Sequence, residues 1–146
     1  MTDEASAADR RPASIVVRRR VEWADTDASG KYHNTAAFRL VEQAETRLLN
    51  ALGLADEVYG RLPRVHISLD LTEALRFNDL VDVELRVEGL GTTSLTYGFD
   101  IRKGGRPVAS GRMIAVLLSG SGGKEEWSEE HRRVLETSGP QEWDGS

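Results

Sequence analysis

The sequence predicts an α+β domain in which one long helix covers one face of a five-stranded antiparallel sheet. Three observations carry that expectation. A single long stretch places apolar residues at the 3.6-residue spacing of a buried helical stripe. Apolar and polar residues alternate in the stretches that follow, as in strands with one buried face. At 146 residues the chain is long enough for one core and short for two.

Taken in order, residues 1–13 read as a disordered tail, because they offer few large apolar groups to offset the entropy of ordering them. The domain is expected over residues 14–119. Its first strand runs from Ile15 to Trp23, where Ile15, Val16, Val17 and Val21 favour extended backbone. A polar loop, Asp25-Thr-Asp-Ala-Ser-Gly30, comes next. The helix is expected from Asn34 to Leu52 on the stripe Ala37, Leu40, Val41, Ala44, Leu48 and Leu52, with Gly53 ending it. Residues 54–63 form an irregular connection. Val65, Ile67, Leu69 and Leu71 then alternate with polar neighbours, as do Val81, Val83, Leu85 and Val87, and each set predicts one core face. Leu95, Tyr97, Phe99 and Ile101 continue the pattern, and a Lys103-Gly-Gly-Arg106 turn returns the chain into a last strand from Val108 to Leu118. Residues 120–146 read as an extension with a flexible joint at Gly120-Ser-Gly-Gly123 and a short amphipathic segment from Trp127 to Leu135.

Composition narrows the function. With no cysteine, thiolate chemistry, disulfides and cysteine-ligated metals are excluded, and a reducing, cytoplasmic home is expected. A net charge of −5 is the wrong sign for a general nucleic-acid binder. Arg18, Arg19 and Arg20 are a local exception, read either as solvated strand side chains or as a patch for the phosphates of a nucleotide-bearing thiol or of a carrier protein's prosthetic arm. No apolar run approaches a membrane span or a signal sequence, so a soluble protein is expected. His33, His66 and His131 are scattered and lack partner carboxylates at ligand spacing, and no metal site is predicted.

The informative residues are Asp25, Asp27 and Gly30, forming Asp-x-Asp-x-x-Gly between a strand and a long helix, with Tyr32-His-Asn34 leading into the helix. A loop aspartate alone is more often a turn or capping residue. In this position, together with Glu42-Gln-Ala44, Leu52-Gly53 and Ala74-Leu-Arg-Phe-Asn-Asp79, the pattern resembles the 4-hydroxybenzoyl-CoA thioesterase-like branch of the hotdog-fold superfamily.

That resemblance implies an acyl thioesterase acting on an acyl-CoA or acyl-carrier-protein thioester, with no cofactor beyond the coenzyme A of the substrate. It assigns Asp27 as nucleophile or general base, and makes the backbone amides near His33 and Asn34 the oxyanion donors. Gly30 is where backbone approaches the acyl group. His33 is a candidate to polarise the thioester. Glu42 is a further candidate, since a helix carboxylate makes the attack in another branch, and Glu45 lies on the same face. Relatives pair as dimers or dimers of dimers with a shared site, for which Tyr32, Thr93 and Ser94 are substrate-binding candidates. Lys31 and Tyr32 replace small aliphatic residues, and Ala36 and Ala37 stand where relatives often carry a tyrosine, so the acyl pocket is expected to differ. The alternative is a hotdog protein that binds acyl-CoA without hydrolysing it, as a sensor or carrier-protein partner.

Overall fold

The computed structural model describes residues 10–23 and 36–142. In chain order the elements are β1 (Ser14–Arg20), α1 (Ala36–Ala51), the one-turn α2 (Ala55–Val58), β2 (Arg64–Leu71), β3 (Leu80–Leu90), β4 (Ser94–Lys103), β5 (Arg106–Val116), α3 (Glu129–Thr137) and β6 (Pro140–Gln141). The strands form one sheet in the order β2-β5-β4-β3-β1-β6. Every pairing is antiparallel except that of β6 with β1. Among the described residues the sheet thus has six strands rather than five, the sixth being a two-residue pairing too short to leave any periodicity in the sequence.

The core lies between α1 and the inner sheet face. Val81, Val83, Leu85 and Val87 of β3 and Leu95, Tyr97, Phe99 and Ile101 of β4 are all buried there. Ala37, Leu40, Val41, Ala44 and Leu48 cover them from α1, and the two alanines let helix and sheet approach closely. Gly53, at φ +75°, ends the helix by donating its N–H to Asn50 O at 3.1 Å. Gly104 and Gly105, at φ +59° and +79°, close the tight β4–β5 hairpin in the left-handed conformation such turns need.

The outer sheet face is lined with charge pairs: Arg102–Glu84 at 2.9 Å, Arg86–Asp100 at 2.6 Å and Arg112–Glu88 at 2.9 Å. Arg18 joins it through Asp82 at 3.0 Å, which raises the arginine's pKa by hydrogen bonding and charge, and so uses this guanidinium locally. Arg20 donates to Asn78 O at 2.8 Å. Arg19 points instead to the inner face, with its Nε buried and without a hydrogen-bond partner among the described residues.

Strand β2 departs from the expectation of a core face. Val65, Ile67 and Leu71 are 62%, 44% and 40% exposed. The strand is the sheet's edge, pairing with β5 alone, and α1 packs chiefly over β1 and β3. Leu69 packs against the core, but among the described residues Val65, Ile67 and Leu71 are left largely uncovered. The pairing with β5 is close at Gly111, where a Cβ would stand 2.1 Å from Ser68 O and 2.5 Å from the Phe99 ring.

Beyond Gly123 the chain is anchored to the domain. Trp127 and Leu135 are buried, Ser128 caps α3 by accepting from His131 N, and Ala13 N donates to Leu135 O at 2.9 Å.

Candidate active site

Asp25, Asp27, Gly30, Tyr32, His33 and Asn34 lie outside the described residues. What the structure shows is the two ends from which their segment springs, and both are firmly held. On the strand side, Val21 N donates to Asp79 O at 2.8 Å and Asn78 N to Val21 O at 2.9 Å. Asn78 adopts φ +73°, a left-handed conformation that asparagine tolerates better than most residues. Asp79 closes the turn by accepting from Arg76 N at 2.8 Å and pairing with Lys103 at 3.0 Å. Burial works against the Asp79 charge, but these hydrogen bonds and the lysine outweigh it and hold the carboxyl below its ordinary pKa. Trp23 stacks edge-to-face on Phe77, ring centroids 5.4 Å apart. On the helix side, Ala36 and Ala37 are already buried at the first described turn.

Glu42 and Glu45 are both described, and their fates differ. Glu45 is buried and grips Arg64, whose Nη1 donates to Oε2 at 3.1 Å while Nη2 donates to Oε1 in a short contact. This two-pronged pair ties the second half of α1 to the start of β2. Burial opposes the Arg64 charge, but the hydrogen bonds and charge of Glu45 prevail and raise its pKa. Beneath them the Tyr97 hydroxyl is fully buried, near enough to Glu45 for burial first and that charge second to raise its pKa well above the usual value. Among the described residues it makes no hydrogen bond of good geometry, and it stays neutral. Glu42 is more open, its side chain 57% exposed and 3.7 Å from Arg64 Nη2.

Glu42, Glu45 and Arg64 floor a cleft of about 450 Å³ whose walls include Leu49, Val58, Tyr59, Leu62, Pro63 and Leu118. Apolar walls around a few polar groups are the usual makeup of a small-molecule site. Sequence reading singled out Glu42 and Glu45 but missed Arg64, which lies 19 residues from Glu45 in the chain. The only local signal was a charged residue opening an apolar strand directly after Pro63.

Thr93 and Ser94 occupy the β3–β4 turn at the far end of the sheet from the β1–β3 exit, on the side where Arg64, Ala115 and Leu95 lie in register. Their carbonyls are taken: Thr93 O accepts from Leu117 N at 2.8 Å, and Ser94 O from Gly91 N at 3.0 Å and Trp127 Nε1 at 2.9 Å. His66 is exposed on β2, and His131 sits 3.2 Å from Glu57, bridging α3 to α2. Among the described residues no cluster of three histidine, aspartate or glutamate side chains is arranged to hold a metal, and no helix is long and apolar enough to cross a membrane.

Comparison with known proteins gives this geometry its setting. The thioesterase superfamily model matches residues 29–110. A 1,4-dihydroxy-2-naphthoyl-CoA hydrolase of Prochlorococcus marinus is 24% identical over 117 residues, covering 72% of this chain and 76% of that protein. A Thermus thermophilus thioesterase, solved with coenzyme A and zinc, superposes at a TM-score of 0.74 and 26% identity, covering 82% of this chain and 90% of that one. A gentisyl-coenzyme A thioesterase superposes equally well, at 0.74 and 23% identity over 82% of this chain and 98% of its own. The family model spans more than half of the chain and its architecture is that of these structures, so the protein belongs to the thioesterase superfamily and has the hotdog fold.

Proposed function

We propose that this protein hydrolyses an acyl-CoA thioester, with Asp27 as nucleophile or general base and the amides near His33 and Asn34 as oxyanion donors. The match of the superfamily model from residue 29 into the strands supports thioester hydrolysis, and it is the single observation on which the reading rests. The Asp27 role rests on its place between β1 and α1. A carboxylate there either attacks the carbonyl to form a mixed anhydride or takes a proton from attacking water. Helix N-terminal N–H groups lack partners within the helix and point along its positive dipole end, which suits them to stabilise the oxyanion. The chemistry calls for no metal, and activity is expected to survive chelation.

Coenzyme A is the thiol carrier favoured by the naphthoyl-CoA hydrolase and by the coenzyme A complex of the Thermus protein. An acyl-carrier protein is the other carrier to assay. The naphthoyl relative also favours an aromatic acyl group.

The working unit is proposed to be at least a dimer joined along β2. An eight-residue edge strand with exposed Val65, Ile67 and Leu71 is a pairing surface left open. Antiparallel pairing of two such edges sets the start of one β2 beside the end of the other. The end of one chain that carries Thr93 and Ser94 is then directed toward the opposite end of its partner.

Release of free thiol from a panel of acyl-CoAs and acyl-carrier proteins tests the reading. Turnover of at least one acyl-CoA is expected. Tight binding without thiol release would replace hydrolysis with a binding role.

A further inference from the structure

The open edge at β2 carries a directional pattern in its backbone as well as an apolar one in its side chains. Thr72 N donates to Val108 O at 3.0 Å, and in the same β2–β5 register Asp70 faces Ser110, Ser68 faces Arg112 and His66 faces Ile114. Hydrogen-bonded pairs recur at every second residue of an antiparallel ladder, so His66, Ser68 and Asp70 direct their N–H and C=O groups to β5. Those of Ile67, Leu69 and Leu71 point the other way, along an edge that no other strand among the described residues occupies. Side chains sort the same residues. Ile67 and Leu71 lie opposite the buried Met113 and Ala109, which puts Ile67, Leu69 and Leu71 on the inner face and His66, Ser68 and Asp70 on the outer one. The register shifts between Arg64 and His66, so Val65 falls outside the regular alternation.

A second copy of this edge fits the pattern in few ways. Antiparallel pairing about a twofold axis sets outward-directed residues against one another. With Ile67, Leu69 and Leu71 available, an axis at Ser68, Leu69 or Asp70 keeps more than a single such contact. The axis at Leu69 engages all three, since Leu69 then faces its own counterpart and Ile67 faces Leu71 on both sides. An axis at Ser68 sets Leu71 against the irregular Val65, and one at Asp70 runs Ile67 past the end of the other strand. The outer face makes the same choice. The axis at Leu69 brings each Ser68 hydroxyl opposite an Asp70 carboxylate, which it can serve as donor. The axis at Asp70 sets two carboxylates directly opposite, and like charges in that position are destabilising.

Resting on the edge-paired dimer of the proposed function, we infer its register: two copies of this chain join β2 to β2 with Leu69 on the twofold axis, Ile67 against Leu71 on the inner face and Ser68 against Asp70 on the outer. The inner-face side chains of the two strands then form one continuous apolar strip, which accounts for the exposure of Ile67 and Leu71 in the single chain. The register also relates the second copy to the cleft. Leu71 of one copy meets Ile67 of the other, on the strand whose first residue, Arg64, lines that cleft. Each cleft thus borders the second copy.

The chain has no cysteine, so introduced cysteines report the register without background. A disulfide needs Cα atoms roughly 4.4–6.8 Å apart. Residues directly facing in an antiparallel pair lie about 4.5–5.5 Å apart, and diagonal neighbours roughly 7–8 Å. The full chain is prepared as Ser68→Cys, Leu69→Cys and Asp70→Cys, oxidised mildly and read on a non-reducing gel, with sedimentation of the reduced proteins alongside. Leu69→Cys is expected to cross-link in most of the protein, and Ser68→Cys and Asp70→Cys, each alone, are expected to stay uncross-linked. Co-expressed Ser68→Cys and Asp70→Cys chains should cross-link to each other, which keeps the test intact if Leu69→Cys, partly packed against the core, fails to fold. Adding Ile67→Lys should abolish both cross-links. Cross-linking of Ser68→Cys or Asp70→Cys alone would overturn the register and leave the edge-paired dimer standing. A dimer in sedimentation that cross-links in none of these combinations would overturn the β2 pairing itself, and a monomer throughout would remove the dimer along with it.

Discussion

Glu45 is a charged residue placed in the stripe of α1 that faces the core, and it is tolerated there because Arg64 meets it with two hydrogen bonds. Such a pair need not add net stability, but removing one partner strands a buried charge. Arg64→Ala is expected to cost about 3–5 kcal/mol by urea denaturation, and Glu45→Gln in that background should recover part of the loss. At the other end of the sheet, Asp79 makes a pH-dependent contribution. Its folded pKa lies below the unfolded value, so its stabilisation is present at neutral pH and is lost as pH falls through the folded pKa. The stability gap between wild type and Asp79→Asn should be about 1 kcal/mol at pH 7 and should close as the pH falls through the lowered folded pKa of Asp79. A gap that stayed constant across that range would show that the charge is not what stabilises the turn. Because this turn brackets Val21, it also fixes where the chain leaves β1.

At the scale of elements, the sequence was readable wherever one chain supplies both sides of a contact. The alternation in β3 and β4 reported burial correctly because α1 covers those strands, and Gly53, Gly104 and Gly105 marked real stops and turns. Strand β2 shows the limit. Val65, Ile67 and Leu71 alternate as regularly as the residues of β3, yet they remain exposed, since period two reveals that a face is apolar but not what covers it. That same regularity makes β2 the natural dimer edge. Ile67→Lys should shift the protein from dimer to monomer in sedimentation at micromolar concentration, with the monomer fold kept by circular dichroism. A protein already monomeric before the substitution would remove the proposed pairing.

For the whole molecule, the candidate site was legible as a pattern but not as an arrangement. Asp25, Asp27 and Gly30 stand out through their place between a strand and the long helix, which is information about element order. The Glu45–Arg64 contact is information about folding across 19 residues, and no local periodicity encodes it. Nor does periodicity announce that Trp127 and Leu135 bind the C-terminal segment to the β3–β4 turn and to Ala13. The resulting account joins the pinned end of β1, the first described turn of α1 and a cleft along that helix into one proposed thioester-cleaving unit. Its central claim is that Asp27 performs the chemistry. The most direct measurement is single-turnover and steady-state thiol release by wild type and Asp27→Asn on the best acyl-CoA of the panel. The account predicts that the folded variant binds substrate with similar affinity and loses about a thousandfold or more in kcat, whereas near-normal kcat in that variant would contradict it.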